Sequence, residues 1–259
     1  MTDTGYRFPF GESVTLVEQA DRSPKRVFVL GVYASAVHAR WTGPDGAQRV
    51  GALAVASEPE IFWRGDGAGG IIERIPVPAE AGKLVPAAGA MNGPSAKALD
   101  ELILAPLGFG RKDAWLCDVV PHSCWNDDQR EAAETHYVPV AEELGLPVPD
   151  MPPKPTSQPS DERVGEILAE LQQSEAGTVV LLGDLPIKWF ASRLGVPQKS
   201  LASFGTAPEE YGRRHAVDFG GHACEIVPLV HPRQAAGLGA HSAEWRDLHQ
   251  EWVRRKGRE

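Results

Sequence analysis

Runs of aliphatic and β-branched residues, each closed by a turn or polar residue, alternate along the chain with stretches in which apolar residues recur every three or four positions. The runs are Arg26–Tyr33 (RVFVLGVY), Ala52–Ser57, Ala114–Pro121 (AWLCDVVP), Thr178–Gly183 (TVVLLG) and His222–His231. Unbroken apolar runs of this length suit strands buried on both faces, as in a parallel sheet. Helical spacing marks Ser95–Leu107, Gln129–Leu144, Asp161–Gln173, Pro186–Leu194 and Ser242–Arg255. Alternating strands and helices imply βαβ crossovers. The predicted fold is therefore α/β, three layers deep (α/β/α), around a mainly parallel sheet of four to five strands.

Local signals refine the boundaries. Asp161 is the expected N-cap of its helix, Pro186 suits a first helical position, and Ser242 with Ala243–Glu244 opens the last helix. Pro147–Pro159 (PVPDMPPKPTSQP) holds too much proline for a helix or a central strand, and is expected as an extended surface connection. Gly65–Gly70 (GDGAGG) predicts a flexible loop and lacks the lysine and Ser/Thr of a triphosphate-binding loop. With 259 residues and 42% hydrophobic content the chain can fill one core, so a single domain over residues 1–259 is expected.

Composition changes the picture in three ways. No apolar run approaches the ~18 residues of a membrane span, so neither a signal peptide nor an anchor is expected and the predicted location is cytoplasmic. Cys117, Cys124 and Cys224 are an odd set in a long chain, which suits free thiols in a reducing compartment. The net charge of −9 opposes bulk attraction to nucleic acid and, taken alone, favours a small-molecule enzyme. The charge is uneven, however. Arg213–Arg214, Arg233 and the tail Arg254–Arg258 are basic, whereas much of the acid lies in 131–143 and 161–175.

Candidate chemistry gathers after the strands. Tyr33, Ser35 and His38 follow the first run, Glu58, Glu60, Phe62 and Trp63 the second. Asp118 lies in the third, followed by His122, Asn126 and Asp127, and the last run delivers His231 and Arg233. Parallel strands bring their carboxyl ends to one edge, where α/β proteins bind ligands. Cys117, His122 and Cys124 are potential zinc ligands, but their spacing is poor and no CxxC pair exists, so no metal is expected.

In their order these features resemble the uracil-DNA glycosylase superfamily. The matching positions are Gly31-Val32-Tyr33-Ala34-Ser35 for the first motif, Phe62 or Trp63 for the aromatic that follows, Asp118 for a base-reading Asn, and His231-Pro232 before a DNA-probing loop. The match runs in order over roughly residues 26–255, through short and degenerate motifs. It implies a single glycosylase-like domain, acting as a monomer in base excision repair. Such a domain flips uracil, or another deaminated or 5-substituted base, out of DNA and hydrolyses its N-glycosidic bond without a cofactor. Two departures stand out. Tyr33 occupies the place of the usual first-motif carboxylate, and three cysteines cannot furnish the iron–sulfur cluster of some members. Ser35 replaces a bulky side chain and is expected to leave the pocket open to larger bases.

The resemblance assigns roles residue by residue. His231 would donate to the base oxygen that becomes negative as the bond breaks; the alternative is an edge histidine beside a strand-ending proline. Asp118 would read the base edge or assist water, with Glu58 and Asp127 as rival carboxylates; otherwise it bonds a neighbouring backbone N–H. Gly31, Val32, Tyr33 and Ser35 would shape the pocket, and Phe62 or Trp63 would stack on the base or simply pack the core. Asn126 would touch substrate or cap the helix near Gln129. Arg233–Gly239, which includes Leu238 and opens the small-residue loop Gln234–Ser242, would probe the duplex, and Arg213 and Arg214 would meet phosphates or only solvent. His38 and Trp41 are candidates for the pocket mouth, against the simpler reading of a solvent-facing histidine. Two other functions fit the same residues: a non-catalytic DNA-binding protein, and a small-molecule hydrolase using His231 with Ser35 or Asp118.

Overall fold

The computed structural model describes residues 2–88, 91–238 and 243–258. In chain order the strands are β1 (Asp3–Arg7), β2 (Ser13–Thr15), β3 (Val27–Ala34), β4 (Ala36–Thr42), β5 (Gln48–Ser57), β6 (Lys83–Pro86), β7 (Ala114–Ser123), β8 (Thr178–Leu182), β9 (His215–Phe219) and β10 (His222–Leu229). The helices are α1 (Ala68–Ile72), α2 (Pro94–Leu99), α3 (Asp127–Ala132), α4 (Val138–Leu144), α5 (Asp161–Ser174), α6 (Asp184–Trp189), α7 (Pro232–Ala235) and α8 (Ala243–Lys256). These elements form two compact units, one of Met1–Val17, Tyr33–Pro94 and Val120–Thr156, the other of Glu18–Val32, Ser95–Val119 and Ser157–Glu259.

A five-stranded sheet in the order β7-β3-β8-β10-β9 dominates the fold. β3 and β10 flank β8 in parallel register, Leu30 opposite Leu181 and Leu181 opposite Pro228, and β9 returns antiparallel to β10. Val27–Leu30 and Val179–Leu182 have no exposed surface, which is why these runs carry no polar alternation. The chain is thus mixed α/β with a mainly parallel central sheet, as expected.

Ala52–Ser57 departs from expectation. It belongs to β5, which pairs antiparallel with β4 in a separate three-stranded sheet, β5-β4-β6. The cause is the turn Gly43-Pro44-Asp45-Gly46, where Gly46 N–H bonds Gly43 O at 3.0 Å and Asp45 Oδ1 accepts from Ala47 N–H at 3.0 Å. A hairpin turn of this kind forces the next strand back beside the last. Around it an aromatic cluster of Phe10, Trp41 and Tyr137 fills the core of the first unit, with centroids 4.8 to 5.8 Å apart. Tyr137 Oη accepts from Phe10 N–H at 2.7 Å and donates to Pro147 O at 3.1 Å.

Smaller corrections have local reasons. Ser160, not Asp161, caps α5, because its hydroxyl reaches Arg163 N–H at 3.2 Å. α1 begins inside the glycine-rich stretch, and Gly67 at φ +75° supplies the turn that opens it. α6 starts at Asp184, which puts Pro186 at its third residue. The strand expected over His222–His231 stops at Leu229, and Pro232–Ala235 in the expected loop is a helical turn. The cap role given to Ser242 lies outside the described residues. Pro147–Pro159 has no regular element, and Met151 and Pro152 within it are buried. Among the described residues no helix is long and apolar enough to cross a membrane.

Candidate functional site

In the five-stranded sheet, the chain leaves β3 toward β7 on one side, and leaves β8 toward β10 on the other. Adjacent parallel strands whose connections diverge create a crevice beyond their carboxyl ends, the usual ligand position in open α/β sheets. Gly31 and Val32 stand at that end of β3, and Gly183 and Asp184 at that of β8. His231 follows β10, the next strand over.

His231 is half-buried and serves as the residue before α7, its Nδ1 accepting from Arg233 N–H at 3.3 Å. An accepting Nδ1 places the ring proton of a neutral imidazole on Nε2, which makes that atom a donor. The preceding backbone is held by a buried relay. Val230 N–H donates to Tyr211 Oη at 3.0 Å, Tyr211 Oη donates to His249 Nδ1 at 2.7 Å, and His249 Nε2 donates to Leu102 O at 2.9 Å. Leu102 O is open to a side chain because the residue four positions on is Pro106, which has no N–H to offer it. The sequence signal for this relay is His249 on the α8 stripe that also carries Trp245 and Trp252; Tyr211, in a turn among charged residues, carries no such signal.

Burial holds the His249 imidazole well below its ordinary value, at about 4. The unfolded chain therefore takes up a proton near pH 6.5 that the folded chain refuses until about pH 4. Stability from this group is complete above pH 6.5 and is lost as pH falls through that window, by about 3 kcal/mol in all. Urea denaturation across this range should show the loss, and His249→Gln should remove the dependence. An unchanged slope in the variant would show that another group is responsible.

Asp118 lies within β7, at the outer side of the sheet, and is 3% exposed. Burial pushes its carboxyl up to about 7, against the opposing pull of Arg163. Arg163, from α5, donates to Asp118 O at 2.7 Å and Val119 O at 3.1 Å. It also pairs with Glu166 at 2.9 Å and approaches Glu170 at 3.7 Å, while Glu170 accepts from Trp115 Nε1 at 2.9 Å. Cys117 beside this cluster has a thiol raised well above its usual value, first by burial and then by Glu170, so it is not a reactive thiolate. Asp118 and His231 sit on strands separated by β3 and β8. At ~4.8 Å per strand, three steps amount to ~14 Å, so the two groups do not bond each other directly.

The first unit places the other candidates. Ser35 is exposed, and its N–H donates to Glu58 Oε1 at 3.0 Å while its carbonyl accepts from Ser123 Oγ. The other Glu58 oxygen receives Trp63 N–H at 3.4 Å. Glu58, 2% exposed, is thus a backbone clamp, a poor arrangement for activating water. Tyr33 is half-buried, and Phe62 is 8% exposed at φ +52°, a left-handed conformation that costs a non-glycine residue free energy. Trp63 is 5% exposed within the hydrophobic core, its indole bonded to Asp66 O at 3.0 Å, so packing is its observed role. Asn126 caps α3 with a reciprocal Gln129 contact, at 2.8 and 3.1 Å. His38 and Trp41 do not face solvent. His38 is 7% exposed with Nε2 bonded to Gln129 at 2.9 Å, and Trp41 donates to Ala81 O at 2.7 Å from inside the core. Asp127 is tied to Lys154 and Arg130 at the surface.

Arg233 and Leu238 are both half-buried, and Leu238 N–H bonds Arg233 O at 2.8 Å, which closes α7 on itself. The rest of the expected probing loop, from Gly239 to Ser242, lies outside the described residues. Arg213 and Arg214 are exposed before β9, and Arg214 pairs with Glu225 at 3.0 Å. Among the described residues no three His, Cys, Asp or Glu side chains are grouped to hold a metal ion.

These features define an α/β protein with a mainly parallel five-stranded sheet, a histidine delivered to its ligand edge, and a buried acid on its outer strand. No protein-family model matches the sequence, and no curated protein matches it. The resemblance to the glycosylases therefore rests on the order of the short motifs themselves.

Proposed function

We propose that the protein is a DNA glycosylase of the uracil type, built on a three-layer glycosylase-like domain, that releases a flipped base by hydrolysis of its N-glycosidic bond. The observation that carries this reading is the His231 imidazole, fixed by its Nδ1 contact so that Nε2 is a donor at the end of a buried parallel strand. Bond cleavage leaves negative charge on a base oxygen, and a preoriented donor there lowers the barrier most. A neutral donor suits this task because it carries no charge that must first be desolvated.

Asp118 adds support. A carboxyl at about 7 is partly protonated at neutral pH, so it both donates and accepts. Uracil presents an imide N–H beside a carbonyl, and a neutral acid answers both, as an amide side chain would. In this reading Asp118 recognises the base, and Gly31 and Val32 form the pocket wall. Arg233 and Leu238 face the duplex, and no cofactor takes part. The proposed setting is cytoplasmic DNA repair by a monomer.

The test is a labelled oligonucleotide carrying one uracil, scored for abasic-site formation and for gel retardation. Abasic-site formation is the expected result. Retardation without cleavage would replace the proposal with a non-catalytic DNA-binding role, and neither activity would discard nucleic acid as the substrate.

A further inference from the structure

The turn before β9 and the last turns of α8 line a cavity of about 290 Å³, with Arg213, Arg214, Arg255 and Lys256 around it and, among the described residues, Glu209 as its one acid. Among the described residues, two buried donors at this place have no hydrogen-bond partner, Trp252 Nε1 and Arg255 Nε. Trp252 is 1% exposed, so its indole N–H bears the full cost of desolvation with no bond in return. Such groups are rare in folded proteins and commonly mark a place where a ligand supplies the acceptor.

The backbone is shaped to the same end. Gly212 adopts φ +68°, and a Cβ there would collide with Trp252 Nε1, so only glycine leaves room beside the indole. Tyr211 anchors the turn from below through the relay to His249, and Arg255 Nη2 reaches Tyr211 O at 3.5 Å. Arg213 makes no ion pair among the described residues, and Arg214 is partly offset by Glu225. The surplus of donors and positive charge defines the ligand's chemistry: an oxyanion with several acceptor atoms, small enough for a cavity at the lower end of ligand-site volumes.

We infer that this cavity is a phosphoryl-binding seat, in which Trp252 Nε1 and the Arg255 guanidinium bond a phosphate oxygen while Arg213 supplies charge from the rim. The phosphate is either a backbone phosphodiester of DNA or a phosphate on a small molecule. The inference stands on the cavity and its donors, not on base release, so the two fail separately.

The indole N–H resonances of nitrogen-labelled protein provide the readout, with the Trp252 signal identified by its loss in Trp252→Phe. Titration with inorganic phosphate should move that signal downfield along a saturating curve, while chloride at matched ionic strength should not. Trp252→Phe keeps the packing and removes the donor, and should weaken phosphate binding about tenfold by calorimetry. Arg213→Gln, at an exposed site, should weaken it several-fold. A short oligonucleotide that moves the same signal and is displaced by phosphate assigns the seat to the DNA backbone. A phosphomonoester that moves it where the oligonucleotide does not assigns it to a small ligand. A Trp252 signal that stays still, or phosphate binding that survives Trp252→Phe and Arg213→Gln unchanged, overturns the inference, whatever the outcome of the uracil cleavage assay.

Discussion

Replacing His231 with alanine is expected to slow uracil release by roughly a hundredfold to a thousandfold, the usual cost of deleting one preoriented donor to a developing oxyanion. Its Nδ1 is engaged by Arg233 N–H, so the ring cannot turn to offer the other nitrogen without breaking a bond. Duplex retardation should stay close to normal, because the donor acts on the departing base and not on the backbone. The thermal midpoint should also change little, since the ring is half-buried and its Nδ1 contact with the backbone is worth about 1 kcal/mol. Single-turnover cleavage at saturating protein separates chemistry from binding. A variant that cleaves within a few-fold of the parent protein would remove His231 from the mechanism.

The second large effect concerns Asp118. A carboxyl raised from 3.8 to about 7 in the folded protein keeps its proton after the unfolded chain has lost it. Stability from the neutral acid is complete below pH 3.8 and is lost as pH rises through about 7, a difference near 4 kcal/mol. Asp118→Asn should therefore gain on the parent protein between pH 5 and pH 8, by a few kcal/mol, in denaturant unfolding measured at both values. Parallel curves for the two proteins would show that Asp118 is already ionised at neutral pH. The same substitution tests function, because an asparagine donates and accepts at every pH. Cleavage by the parent protein should fall above pH 7, and cleavage by Asp118→Asn should not.

His249 and Asp118 oppose each other. Acidification from pH 7 toward pH 4 costs stability at the histidine and returns a similar amount at the aspartate. The parent protein should therefore show a flatter stability profile than either variant alone, and the two slopes emerge only when one group is removed.

Much of the central sheet was legible because burial on both faces leaves a direct imprint on sequence. β3 and β8 read as unbroken apolar runs, β7 and β10 as apolar runs interrupted by Asp118 and Glu225, and all four fold as strands. β9 was not visible, because His215–Phe219 alternates exposed and covered positions at the sheet edge and has no such run. In Ala52–Ser57 burial is written in the six residues, but pairing direction is not. That information lay in the Gly43–Gly46 turn and in the polar-studded β4, whose His38 and Arg40 hide its strand character.

The same division holds for the site. His231 was readable because a proline ends the strand beside it. The groups that hold the backbone before it were not, since Tyr211 lies 38 residues from His249; nor was the cluster beside Asp118, where Trp115 lies 55 residues from Glu170, separations that no local period connects. Glu170 offered one clue, as an acid on the stripe that also carries Ile167 and Leu171. Trp63 illustrates the converse, an aromatic whose motif position pointed to a base while its surroundings made it core.

The Arg163 guanidinium has a consequence for the molecule in company. By filling the carbonyls of Asp118 and Val119 from a helix, it occupies acceptors on the outermost strand that a foreign chain would need in order to add itself to the sheet. A crowded solution of this protein is thereby denied one template for growth, at the cost of a single side chain held in place by two glutamates.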